Sequence, residues 1–329
     1  MSEGIKNRIL IVGGGRISLS HLPHIIANKS ISVVGIVEPN FFLRLLLGRI
    51  TNLKTFKSLS NINMIEFDSA IILTPPSTHV EISELMIKHK KNIFIEKPIS
   101  LNFEDSKKIL SFAEKNKVVF GTGYIYRHNP IFKKLKNIIN SEEYGIIKSA
   151  KLSMKGNVNK IGVKKSWRQS LNSGGCIYDY GCHLIELSIY MFGEPNDVNC
   201  YSKECLFTKN IVDRFSAEFK YPNSGLICDI SCDWADPSQR KASIIIDLET
   251  ETHKIWTDGQ SIKISGLRNE VINIRDLCTN VNFYLRGEDF ANNINAFIEA
   301  LLEKKPDYSI ATQAVNCDKI IGLINSQLA

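Results

Sequence analysis

The sequence predicts an α/β protein in two parts: a doubly wound parallel sheet first, then an α+β part built on a large, mostly antiparallel sheet. Three observations predict it. Residues 1–122 alternate short apolar runs with segments of helical periodicity, the βαβ rhythm of a parallel sheet. A glycine turn, Gly13-Gly14-Gly15, separates the first apolar run from the first helical pattern. Beyond residue 193 the runs become alternating and closely spaced, which marks antiparallel strands. At 329 residues the chain exceeds one ordinary core and suits two domains of roughly 100–200 residues each. The expected division is 1–122 and 123–329, with the helices from about 288 returning to the first domain.

Composition narrows the function classes. With 43% hydrophobic and 23% charged residues the chain is globular, without low-complexity tracts. The net charge of +7 comes from scattered lysines and lacks the aromatic-interleaved basic stripe of a nucleic-acid binder. None of the eight cysteines forms a C-x-x-C pair, and Cys228 and Cys232, on one apparent strand, have no histidine partners nearby. No metal is expected. With no secretory leader and no apolar run long enough to span a bilayer, the expectation is a cytoplasmic protein that binds neither membrane nor nucleic acid.

Arg8 to Val12 is the first apolar run, followed at once by Gly13-Gly14-Gly15-Arg16-Ile17-Ser18 and a helix to about Asn28. Strand, glycine turn and helix together make a dinucleotide-binding (Rossmann) fingerprint. Gly13 allows the tight turn, Gly15 lets a pyrophosphate approach the backbone, and Arg16 and Ile17 belong to the same contact set. Ser18 replaces the usual third glycine or alanine and is small enough for close helix–strand packing. The second strand, Ser32 to Val37, ends at Glu38, placed to accept from a ribose 2′-hydroxyl and to repel a 2′-phosphate. That favours NAD over NADP; the plain alternative is a surface glutamate.

The apolar segment Phe41 to Ile50 reads as a buried helix or a subunit contact. Asp68 to Leu73 is a buried strand stopped by Pro75 and Pro76, with Ser77 or Thr78 as a cap for the helix to about Lys90. Ligands collect at the carboxyl ends of such strands, which puts Thr74, Pro75 and His79 in the cofactor set. His79 reads equally well as a helix-start hydrogen-bonding residue. Asn92 to Ile95 leads into Glu96-Lys97-Pro98, where the fixed φ of proline aims Lys97 into the crevice, although a lone strand-end lysine is commonly a surface charge. A helix over 102–116 and a strand over 118–122 complete the series.

The second part opens at Gly123-Tyr124-Ile125-Tyr126-Arg127-His128-Asn129-Pro130, followed by one helix and a strand over 146–155. Its centre is Ser173 to Glu186, a small-residue bend opening an apolar helix that stops at Gly193. Asp179 and His183, four apart, share a face of that helix. A carboxylate beside an imidazole suits proton transfer; the plain reading is a satisfied polar pair in a core helix. Gly181 between them would let a planar group approach. Strands are expected at 198–207, 214–220, 225–234, 242–248, 254–256, 261–264 and 271–274, then helices at 288–303 and 310–327.

Taken in order, GGGRIS with His21, Glu38, TPPSTH at 74–79, EKP at 96–98, GYIYRHNP at 123–130, WR at 167–168 and SGG-x3-D-x-G-x-H ending at His183 resemble the Gfo/Idh/MocA oxidoreductases over essentially the whole chain. The resemblance implies that Lys97 donates to the substrate oxygen at the carbon exchanging hydride. It implies that His183 is the general acid/base on that oxygen, and that Asp179 contacts substrate and orients the pair. Tyr124, Arg127, Trp167 and Arg168 would line the substrate, with Asp179 and His183. Ser173 stands where the family usually carries its first glycine. Family substrates are mostly sugars, nucleotide-sugars, inositols and related polyols. Some keto-sugar reducers carry tyrosine at the position of His183, so the histidine favours an NAD-dependent dehydrogenase acting on a secondary alcohol of a sugar or nucleotide-sugar. The alternatives are an NADP-dependent keto-sugar reductase, an NAD-assisted elimination or hydrolysis, and a non-enzymatic NAD(H) sensor. A homodimer or homotetramer is implied by the same resemblance.

Overall fold

The computed structural model describes residues 6–158, 174–207, 209–222, 224–239, 241–278 and 288–327. The chain folds as two compact units, Met1–Ile125 with Tyr284–Val315, and Tyr126–Phe283 with Asn316–Ala329.

The first unit is built on β1 (Asn7–Val12), β2 (Ile31–Val37), β3 (Thr55–Phe56), β4 (Ser69–Ile72), β5 (Asn92–Ile95) and β6 (Phe120–Thr122). They form one sheet in the order β3-β2-β1-β4-β5-β6, with every neighbouring pair parallel. The order reverses at β1, which is where an open α/β sheet leaves a crevice at its carboxyl edge. Ile9, Ile11, Ile71 and Phe94 are wholly buried because helices cover both faces, so these strands read as continuous apolar runs. Connecting helices are α1 (Ser18–Ala27), α2 (Phe41–Thr51), α3 (His79–Lys88) and α4 (Phe103–Asn116). A later helix, Glu288–Glu303, supplies Ile294, Phe297, Ile298 and Leu301 to the same core.

Two expectations for this unit change. Of the two readings of the apolar segment 41–50, the buried helix is excluded and the subunit contact is not: Leu47 is the one buried residue of α2, while Phe41, Phe42, Leu45, Leu46 and Ile50 are exposed. Thr78 does not cap α3 with its side chain; its hydroxyl lies 2.7 Å from that of Thr74 and 2.9 Å from the Pro75 carbonyl. The hydroxyl donates back toward the preceding loop, and no amide of α3 donates to it.

The second unit holds β7 (Ser149–Lys155), β8 (Asp197–Glu204), β9 (Arg214–Tyr221), β10 (Leu226–Asp233), β11 (Ser243–Glu249), β12 (His253–Thr257), β13 (Ser261–Gly266) and β14 (Glu270–Asn273). The sheet order is β14-β13-β12-β11-β7-β10-β9-β8. Only β7 and β10 pair in parallel; all other neighbours are antiparallel. The helices of this part are α5 (Pro130–Ser141), α6 (Cys182–Phe192) and a short α7 (Ile274–Leu277). In chain order Glu288–Glu303 is α8 and Ser309–Ser326 is α9, and the boundary between the units falls within α9. Nearly every residue of α6 is buried, as its all-round apolar sequence requires. It ends at Gly193, whose φ of 84° suits only glycine without strain.

Candidate active site

The glycine turn is shaped by close contacts. Gly13 has φ 104°, and a Cβ there would lie 2.7 Å from the Leu73 carbonyl oxygen, so β4 can pass only over a glycine. Its N–H donates to Val37 O at 2.9 Å, tying the turn to the end of β2. Gly14 N–H donates to Glu38 Oε2 at 2.9 Å, and Asn40 N–H donates to Glu38 Oε1 at 2.8 Å. The buried Glu38 carboxylate is thus oriented by two main-chain donors at the mouth of the turn, with lone pairs left to accept from a diol. Gly15 and Arg16 are exposed, and a Cβ on Gly15 would meet nothing within 4 Å. Ser18 is buried and its hydroxyl donates to Gly15 O. Ile17, at the N-terminus of α1, brings no side-chain cap; Ser18 N–H donates to Gly15 O and Ser20 N–H to Ile17 O, so what the helix start offers an anion is its positive dipole end.

At the ends of β4 and β5 two loops are held together by buried histidines. His79 places Nε2 2.8 Å from Thr74 O and Nδ1 3.0 Å from Pro98 O. Burial lowers its affinity for a second proton, although both carbonyls and Glu96 favour the charged form. Glu96 Oε2 accepts from Lys97 N–H at 2.9 Å, and its Oε1 lies 2.6 Å from His21 Nε2. The His21 ring is fully buried, with edge-on contacts to Phe94 and Phe290. Gly123 makes room for this carboxylate, since a Cβ there would lie 2.7 Å from its carbon. Lys97 itself is half-buried and precedes a cis peptide to Pro98. Pro75 is exposed and Thr74 half-buried beside it. Tyr124, just past β6, is buried.

In the second unit Asp179 and His183 are both buried, and the segment that carries them differs from the expected plain helix. Ile177–Gly181 is a π-turn that runs directly into α6. Such wide turns are rare and recur at functional sites. The space over Gly181 is filled from within: a Cβ there would lie 2.7 Å from the buried Phe215 ring of β9, so this glycine serves packing rather than a planar ligand. The Tyr126 ring meets the His183 ring edge-on, 4.7 Å between centroids. Arg127 is 5% exposed, and its Nε donates to the Glu186 carboxylate one turn beyond His183. Its guanidinium also lies over the Tyr190 ring. Burial pushes the Glu186 carboxyl up and Arg127 pulls it back. His128 is held neutral by burial, with Lys133 and Arg127 nearby, and its pKa falls to about 3.

Comparison with known proteins decides the family. The profile described as "Oxidoreductase family, NAD-binding Rossmann fold" matches residues 7–124, and the "GFO/IDH/MocA C-terminal domain" matches 132–253. The chain belongs to the Gfo/Idh/MocA oxidoreductases. It is 29% identical over 192 residues to glucose-6-phosphate 3-dehydrogenase of Bacillus subtilis, covering 56% of this chain and 53% of that one. An oxidoreductase of Formosa agariphila is 27% identical over 136 residues, 40% of this chain and 42% of its own. The matched region therefore spans about half the length of these curated relatives. Among solved structures, levoglucosan dehydrogenase in complex with NADH and levoglucosan shares the fold, with TM-score 0.87 at 17% identity over 98% of both chains.

Gly13, Gly15, Arg16, Ile17, Glu38, Thr74, Pro75, His79, Glu96 and Lys97 all lie at or just beyond the carboxyl ends of the strands of the first sheet, the edge at which open α/β sheets collect ligands. The residues fit NAD(P): an open glycine turn, an uncapped helix start and a pre-oriented carboxylate stand in sequence along that edge. Asp179, His183 and Arg127 belong to the second unit, whereas Tyr124 belongs to the first. Trp167 and Arg168 lie outside the described residues. Sequence reasoning missed Tyr126 as the neighbour of His183 and Glu186 as the partner of Arg127. The tyrosine stood inside a quoted motif; the glutamate carried no local signal. Among the described residues no helix is long and apolar enough to cross a membrane.

Proposed function

We propose that this protein is an NAD-preferring dehydrogenase that exchanges hydride with a secondary alcohol carbon of a sugar or nucleotide-sugar. The observation that carries the reading is the Glu38 carboxylate, bonded to Gly14 and Asn40 amides at the glycine turn. A carboxylate fixed there accepts from a ribose diol and repels a 2′-phosphate. When bound, NAD supplies the hydride acceptor. Lys97 donates from its ammonium to the substrate oxygen and stabilises developing alkoxide charge. His183 accepts the hydroxyl proton, and Asp179 sets the tautomer and orientation of the imidazole. Similarity to a glucose-6-phosphate 3-dehydrogenase supports a sugar substrate, and the levoglucosan dehydrogenase fold supports the same class.

A second reading, an NADP-dependent keto-sugar reductase, is favoured by one observation. Arg44 Nη1 lies 2.8 Å from the Glu38 carbonyl and 3.0 Å from that of Pro39, which brings a cation to the same strand end. Fluorescence titration with NADH and NADPH separates the two readings, and a screen of sugars and nucleotide-sugars for NADH production follows. Tight NADH and weak NADPH binding is expected; NADPH preference would overturn the role of Glu38. Lys97→Ala and His183→Ala are each expected to lower kcat by roughly two to four decades with NADH affinity kept. Near-normal turnover in either removes that residue from the mechanism.

A further inference from the structure

We infer that His79 and the His21–Glu96 pair are positioning residues that clamp the main chain on both sides of Lys97, an inference that rests on the role given to Lys97 above. On the N-terminal side, Lys97 N–H donates to Glu96 Oε2 at 2.9 Å. The other oxygen of that carboxylate is fixed by His21 Nε2 at 2.6 Å. A carboxylate only accepts, so His21 presents Nε2–H to it, and Nδ1, buried and without a partner among the described atoms, cannot compete for the ring's orientation. Phe94 and Phe290 close on the ring edge-on at 5.6 and 4.9 Å. On the C-terminal side, the His79 ring is seated between Pro98 O and Thr74 O; its neutral form donates to one of the two carbonyls and its protonated form to both, and either way the ring packs the turn that carries Lys97 against the loop after β4. His21, His79 and Glu96 are each more than nine-tenths buried.

Lys97 reaches its task on a flexible four-carbon stem, so the accuracy of its ammonium depends on how firmly its backbone is held. A misplacement of about 1 Å at a reacting group costs roughly a hundredfold in rate. The clamp draws on α1, α3 and the two strand-end loops, so the helix that follows the glycine turn also sets the register of the lysine.

The test is a double-mutant cycle. Glu96→Gln keeps shape but presents an amide to two groups that both need an acceptor, and His79→Leu removes every ring donor between the two carbonyls while leaving the carboxylate intact. Each is expected to lower kcat by roughly ten- to a hundredfold, with substrate KM changed by less than about threefold. Placed on Lys97→Ala, neither should lower kcat further, because each acts through the lysine. The same loss on both backgrounds would overturn the clamp. If Lys97→Ala alone leaves turnover intact, the role of Lys97 falls, and amide exchange in the wild type still judges the clamp. The Lys97 amide should exchange as slowly as those of β5; exchange at loop rates overturns the inference, including where a variant fails to fold.

Discussion

Arg127→Ala should unfold the protein before it impairs substrate binding. The guanidinium and the Glu186 carboxylate are 5% and 2% exposed, and neither can be rehydrated without opening the site. Deleting one partner strands the other as a buried charge, which costs about 3–5 kcal/mol. The cation–π contact with Tyr190 adds a further loss of roughly 1 kcal/mol. A domain of this size loses roughly 2–4 °C in Tm per kcal/mol, so the transition of the second unit should fall by roughly 8–24 °C. Removing both charges together should restore much of the loss, since a buried pair replaced by apolar residues of similar volume is commonly neutral or better. The assay is thermal and urea unfolding of wild type, Arg127→Ala, Glu186→Leu and Arg127→Met/Glu186→Leu, with substrate KM measured on each folded variant. An unchanged Tm in Arg127→Ala, accompanied by a raised KM, would refute the structural role and return Arg127 to the substrate.

Other predictions concern the glycine turn, the π-turn and acid stability. Glu38→Ala should narrow discrimination against NADPH by about ten- to a hundredfold, the loss of roughly 1.4–3 kcal/mol of like-charge repulsion, as read by paired NADH and NADPH titrations; unchanged selectivity means another group reads the ribose. Gly181→Ala should destabilise by about 1–2 kcal/mol, because helix propensity only partly offsets the collision with Phe215, and Phe215→Leu should relieve it. An equally stable Gly181→Ala would show that the ring can yield. His128, lowered from 6.5 to about 3, stays neutral in the folded chain while the unfolded chain takes up a proton below pH 6.5. Its contribution is therefore complete above pH 6.5 and is lost as pH falls towards 3, by up to about 1.4 kcal/mol per pH unit. His128→Asn should flatten that acid limb in urea titrations; an identical slope refutes the assignment.

Much of this was legible in the sequence because local chemistry imposed it. Arg8 to Val12 and Asn92 to Ile95 read as buried strands because helices cover both faces, and Gly13 read as a turn because only glycine clears the Leu73 carbonyl. What stayed hidden depends on partners far along the chain. Arg127 is expected to line the substrate, and its bond to Glu186, 59 residues away, carries no local signal. The π-turn is invisible because an apolar run does not distinguish bonds to the fourth residue from bonds to the fifth. In α2, apolar composition suggested burial, yet composition alone does not say which faces another element covers. The two-residue β3 is too short to carry any periodicity.

The return of α8 to the first core also fixes an order of events during synthesis. Ile294, Phe297, Ile298 and Leu301 close over Ile9, Ile71 and Phe94, yet the chain between Ile125 and Tyr284 belongs to the other unit. On a ribosome adding roughly 5–20 residues per second, the nascent N-terminal sheet waits roughly ten to thirty seconds with that face uncovered. The last strand of the parallel sheet therefore emerges well before the sheet can be sealed, and the interval belongs to whatever in the cell shields apolar surface.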